Sequence, residues 1–241
     1  FYRDERTTGH RVWKFVRILL LIVIGYLLVT HLIVQSYGIR TDSMSPAFAP
    51  GERVLASSLA YGAFIPFTDS RLPALGEVRR GDVVVAELPF SKEFHPAVEA
   101  ADSLVRFFTL QQQRIPADHR SQLGRRTVRR VIAVPGDTVR MEDSVLYVKP
   151  RGEAAFVSEF ELAPTRYQIQ RVTLPDGWQS GDPFSGNMPR ITLSEDQYFI
   201  AADNRDEALD SRHFGPVSRD RLFEKVLFRF WPLARFGVPG S

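Results

Sequence analysis

The chain has 241 residues, 44% hydrophobic and 24% charged, a balance that excludes a disordered or low-complexity protein. It has no cysteine, which excludes a disulfide scaffold and any thiolate metal centre. The net charge is +3, with 27 arginines against 4 lysines, spread along the chain and not massed beside a nucleic-acid motif, so nucleic acid is not an expected partner.

The first segment is basic, with Arg3, Arg6, Arg11, Lys14 and Arg17. Ile18–Ile39 then runs for 22 residues without Asp, Glu, Lys or Arg. As a helix it would rise about 33 Å, close to the hydrocarbon thickness of a bilayer. A cleaved leader would have a shorter apolar stretch and a small-x-small site, which Gln35-Ser36-Tyr37-Gly38-Ile39-Arg40 lacks. The reading is one transmembrane anchor over 18–39, with 1–17 in the cytoplasm and 40–241 as an exported domain, because the positive flank stays inside.

The exported part reads as mainly β. Glu52–Ser57, then 81–88, 127–134, 137–148 and 196–203, are short runs rich in Val, Ile, Leu and aromatics. Pro50-Gly51, Arg80-Gly81-Asp82 and Pro135-Gly136-Asp137 punctuate them, and Glu142-Asp143-Ser144 predicts a hairpin turn. Residues 225–231 form a last apolar run. Two insertions are expected, over about 90–124 and 150–190. The first holds an amphipathic helix over Pro96–Gln112; the second is a small cap or subdomain. Phe64-Ile65-Pro66-Phe67 together with Phe228, Phe230 and Trp231 form either an exposed patch facing the outer leaflet or ordinary core.

Four segments follow the anchor in order: Asp42–Phe48 (DSMSPAF), Arg79–Val85 (RRGDVVV), Arg129–Asp137 (RRVIAVPGD) and Ala202–Gly215 (ADNRDEALDSRHFG). Together they resemble bacterial type I signal peptidases, over roughly Arg17–Pro232. The resemblance implies a signal-peptidase-like β-rich core and a membrane-bound serine endopeptidase that removes signal peptides from exported preproteins after small residues. It places Ser43 as nucleophile and Thr41, with the Ser43 amide, at the oxyanion hole; Thr41 as a simple turn hydroxyl is the alternative. It puts Tyr37, Ile39 and Val128 in a small-residue pocket, with membrane-proximal packing as the alternative. Asp203, Asn204, Arg205 and Asp206, and the Asp210–Arg212 ion pair, are implied as structural residues near the site.

The family's general base is a lysine, which works only when burial pulls its pKa well down. The position that matches it here is Arg129, and a guanidinium does not give up its proton in proteins. The serine that commonly supports the lysine is matched by Ala208, and the glycine that opens the fourth motif by Ala202. Lys225 reads as structural, Lys92 and Lys149 have no motif support, and a Ser43–His213–Asp210 triad is a further arrangement the sequence permits. Two functions therefore stand: a peptidase of this type, or a catalytically impaired paralogue that binds signal peptides or other extended segments. The expected partners are signal peptides and the lipid bilayer, at a bacterial cytoplasmic membrane with the main domain outside. No metal or other cofactor is expected, and no oligomeric state follows.

Overall fold

The structure is a computed structural model that describes residues 5–32, 34–63, 71–89, 126–173, 176, 179, 185–206 and 208–238. The expected 90–124 insertion with its helix, and Phe64–Phe67, lie outside these residues.

Helix α1 covers Glu5–Leu32. Eleven strands follow: β1 (Val34–Gly38), β2 (Arg53–Ser57), β3 (Val83–Glu87), β4 (Arg126–Ala133), β5 (Thr138–Glu142), β6 (Val145–Lys149), β7 (Val157–Ser158), β8 (Met188–Thr192), β9 (Gln197–Ala201), β10 (Val217–Ser218) and β11 (Leu222–Trp231). They form a seven-stranded sheet in the order β1-β2-β11-β3-β4-β9-β10 and a four-stranded sheet in the order β7-β6-β5-β8. The mainly β expectation holds.

The anchor expectation over 18–39 needs correction. The helix stops at Leu32, and the end of the apolar run is strand, with Tyr37 opposite Val54 and Gln35 opposite Ala56. The cause lies in Gln35, Ser36 and Tyr37: sheet pairing satisfies their backbone, and the Tyr37 hydroxyl lies 2.9 Å from both Gln35 Oε1 and Glu224 Oε1 on β11, with its one hydrogen shared between them. Among the described residues no helix is long and apolar enough to cross a membrane. On α1, Trp13, Phe15 and Ile18–Ile22 are exposed.

β3 is buried on both faces, which is why it reads as an unbroken Val-Val-Val-Ala run. Val83 and Val85 join one cluster with Ile39, Met44, Phe48, Val54 and Val128. Val84 and Ala86 face the other way and join Tyr61, Val131, Ile200 and Leu222. A third cluster, including Ile132, Val139, Leu146, Val148 and Phe199, ties the small sheet to β4 and β9.

Two turns fix the frame around the site. The β5–β6 hairpin turns at Asp143 and Ser144, both at positive φ (48° and 66°), the two-residue geometry that matches strand twist. Gly81 sits at φ 84°, and a Cβ there would lie 2.5 Å from the Pro164 side chain, so only glycine allows this packing. The expected subdomain of 150–190 supplies β7, the short helix Glu159–Leu162 and the start of β8 to the small sheet. Near the C-terminus Trp231, Leu233, Phe236 and Val238 are exposed, whereas Phe228 is half-buried against Phe236, with ring centroids 5.4 Å apart.

Candidate active site

Ser43 lies in a single 3-10 turn, Asp42–Met44, just past β1. The turn is held from three directions. Ser45 N–H closes it on the Asp42 carbonyl at 2.8 Å, and Phe48 N–H bonds the Met44 carbonyl at 2.9 Å. Met44 and Phe48 drop into the cluster that holds Ile39 and Val128. Asn204 N–H donates to the Ser43 carbonyl at 3.0 Å, so the fourth motif grips the first through the backbone.

The Ser43 hydroxyl oxygen accepts two hydrogen bonds, from Thr41 Oγ1 at 3.0 Å and from Arg129 Nη1 at 3.1 Å. Arg129 is only 5% exposed. Its Nη1 also lies 2.7 Å from Thr127 Oγ1 and 2.7 Å from the Val128 carbonyl, so its two hydrogens are shared among three acceptors. Nε and Nη2 both reach the Leu209 carbonyl, at 3.3 and 3.0 Å. Every one of these acceptors is neutral. Burial pulls the Arg129 guanidinium down to about 10; Asp210 draws it up and Arg212 pushes it down by lesser amounts. At neutral pH it remains a cation by about a thousand to one.

Arg130, the next residue, is surrounded differently. Its Nε and Nη2 bind both oxygens of Asp203, at 2.8 and 2.6 Å, with both side chains fully buried. Nη1 donates to the Gly81 carbonyl at 3.1 Å, and the guanidinium lies 3.8 Å from the centre of the Tyr167 ring. Asp203 thus fastens β4 to the fourth motif. Arg205 does the same toward the small sheet. It pairs with Glu159 at 2.6 Å and donates to the Ala202 and Ser144 carbonyls, while Tyr167 donates its hydroxyl to the same Glu159 at 2.6 Å. Asp206 is more peripheral: it is exposed and accepts from the Thr173 N–H at 3.1 Å.

Asp210 receives Arg212 through Nε at 2.8 Å and Nη2 at 3.0 Å, and the Ala202 N–H at 2.8 Å. Burial alone would raise this carboxyl; His213, Arg212 and the Ala202 amide together hold it well below the usual carboxylate range. His213 Nδ1 accepts from the Asp210 N–H at 3.3 Å, closing a capping box on the turn Ser211–Phe214. His213 is not among the groups bonded to Ser43, so the triad arrangement is not assembled. Lys225 pairs with Asp82 at 2.6 Å, and the same carboxylate accepts from Tyr61 at 2.9 Å.

The structure therefore brings Thr41, Ser43 and Arg129 into direct contact. It gathers Ile39, Val128 and the half-buried Tyr37 in one cluster beneath them, and sets Asp203, Asn204, Arg205, Asp210 and Arg212 around them. Three partners were missed in the sequence. Thr127 had a signal, since two residues along a strand share a face with Arg129. The Leu209 carbonyl and Glu159 had none, because both meet their arginines only through tertiary contact. Ala208 is buried, and its carbonyl accepts from Arg212 Nη2 at 3.3 Å; Arg129 is served one residue further on.

Comparison with known proteins points the same way. A probable signal peptidase I-1 from Synechocystis sp. is 26% identical over 233 residues, 95% of this chain and 89% of that relative. Signal peptidase IB of Staphylococcus aureus is 25% identical, over 87% of this chain and 84% of its own. A signal peptidase I from Bacillus licheniformis is 24% identical over 95% of both. A signal peptidase I crystal structure from Enterococcus faecalis V583 is similar at a TM-score of 0.33 and 21% identity, covering 64% of this chain and 99% of that one; the family assignment does not depend on it. The family described as signal peptidase, peptidase S26, matches residues 12–231, and the chain belongs to it.

Proposed function

We propose that this chain engages signal peptides of exported preproteins in an extended groove beside Ser43, and that Ser43 is a nucleophile without a general base. The observation that carries this reading is the direction of one hydrogen bond: Arg129 donates to Ser43 Oγ at 3.1 Å. A lysine amine at that position would accept the serine proton once neutral; a guanidinium occupies the lone pair that should attack. The oxyanion side of the site fares better. Thr41 lies beside Ser43, and a fixed cation favours negative charge developing on a carbonyl oxygen. In hydrolysis the Ser43 oxygen would bond to the scissile carbonyl carbon while its proton leaves to solvent. The leaving amine would take a proton from water, and a second water would release the acyl group. General-base catalysis contributes about 10²–10⁴-fold, so the expected enzyme is slow. A second reading, binding with no cleavage, is favoured by the same hydrogen bond.

The tethering residues around Asp203 and Asp210 serve as scaffold in this proposal, and Tyr37, Ile39 and Val128 as the wall that limits side-chain size. The workplace is the outer side of a cytoplasmic membrane, supported by the exposed apolar side chains of α1.

The test uses a signal-peptide-bearing precursor with the parent chain and its Ser43→Ala and Arg129→Lys variants. Slow cleavage by the parent, abolished by Ser43→Ala and accelerated about 10²–10⁴-fold by Arg129→Lys, supports the proposal. Parent activity that survives Ser43→Ala refutes it. A silent parent with an active Arg129→Lys variant selects the binding reading.

A further inference from the structure

We infer that Ser43, Thr41 and Arg129 form a carboxylate-recognition site whose ligand is an extended peptide ending in a small residue with a free C-terminal carboxylate. The inference rests on the groove reading proposed above and goes beyond it: the preferred ligand is the acid end of an already cleaved peptide, not an intact amide.

Three observations carry it. The first is charge. Arg129, Arg130, Arg205 and Arg229 are the buried arginines among the described residues. Arg130 pairs with Asp203, Arg205 with Glu159 and Arg229 with Glu52, at 2.6, 2.6 and 3.1 Å. Arg129 alone has no carboxylate partner among the described residues, only hydroxyl and carbonyl oxygens. A buried cation that meets only neutral oxygens among the described residues is costly, and an incoming anion relieves that cost.

The second is the valence of Ser43. Its oxygen accepts from Thr41 Oγ1 at 3.0 Å and takes a share of an Arg129 Nη1 hydrogen at 3.1 Å, since Nη1 divides its two hydrogens among Ser43, Thr127 and Val128. What the hydroxyl has left to offer is its hydrogen. The atom is thus a donor toward the groove, suited to an acceptor oxygen and poorly suited to attack a carbonyl carbon. The third is the guanidinium itself. Nη2 carries two hydrogens and has one acceptor, the Leu209 carbonyl, which leaves one N–H for a ligand.

A peptide amide offers such a site a neutral carbonyl. A C-terminal carboxylate offers a full charge and two oxygens, and charge-assisted hydrogen bonds are the stronger kind. Thr41 is exposed and Ser43 half-buried, so the approach is from their side, with the cation directly behind the hydroxyl.

The probe is one fluorescein-labelled extended peptide ending in alanine, made both as the free acid and as the C-terminal amide. Its binding to the full chain is followed by fluorescence anisotropy. The free acid is expected to bind at least about tenfold tighter than the amide. In Arg129→Gln the gap shrinks to about twofold or less; in Ser43→Ala it narrows but persists. Equal affinity of acid and amide for the parent overturns the inference and leaves the groove reading standing. Failure of both peptides to bind overturns both. The acid-to-amide comparison is made on the parent, so it holds even where a variant folds poorly.

Discussion

Arg129 and Arg130 are neighbours on one strand, both buried, and their surroundings have little in common. Arg130 is clamped by both oxygens of a buried carboxylate and capped by an aromatic ring. Arg129 is held by a serine, a threonine and two carbonyls. Alternation along the strand sends the two side chains to opposite faces. Around Arg130 the charge is neutralised and the geometry locked. Around Arg129 the cation meets only neutral oxygens among the described residues. The same residue type is thus structural in one place and exposed to chemistry in the next.

The comparison can be broken by substitution. Arg130→Met leaves Asp203 buried without its partner and is expected to cost about 3–5 kcal/mol in urea unfolding. Arg129→Met removes a desolvated cation and strands no carboxylate, so its change is expected to stay within about 1.5 kcal/mol of the parent. Equal losses would mean that Arg129 is as structural as Arg130. Removing the Thr41 hydroxyl with Thr41→Val sharpens the comparison from the site's side. It frees one lone pair of Ser43, and stability is expected to fall by about 0.5–1.5 kcal/mol or less.

A smaller effect concerns pH. Asp210 titrates below the usual carboxylate range in the folded chain. Its contribution to stability is therefore complete above the unfolded value near ~4 and is lost as pH falls below that toward the folded value. Asp210→Asn should flatten the acid limb of the stability curve while leaving its slope above pH ~5 unchanged. An unchanged acid limb would place the lowered carboxylate elsewhere.

Much of the sheet was legible because glycine and proline mark its turns: Pro135-Gly136 ends β4, and Asp143-Ser144 closes the β5–β6 hairpin. β1 was not, since its Val-Gln-Ser-Tyr-Gly sits at the end of an apolar run and hydropathy does not separate strand from helix at that length. The polar Gln35 and Ser36 were the local sign. β7 and β10 were missed because each is only two residues long, and β8 because its partner β5 is distant in sequence. In the site, residue types in motif order pointed to Ser43, Thr41 and Arg129, whose side chains the structure brings into contact. The direction of a Ser43–Arg129 bond follows from residue type, since a guanidinium only donates; the sequence could not show that the two side chains meet, at 3.1 Å.

The most direct measurement is the single-turnover cleavage rate of the parent chain on a precursor between pH 6 and 9. With Arg129 a cation throughout and no base bonded to Ser43 among the described residues, the rate should climb steadily through this range without levelling. A plateau with a midpoint near pH 7 would reveal a working general base at Ser43 and contradict the account.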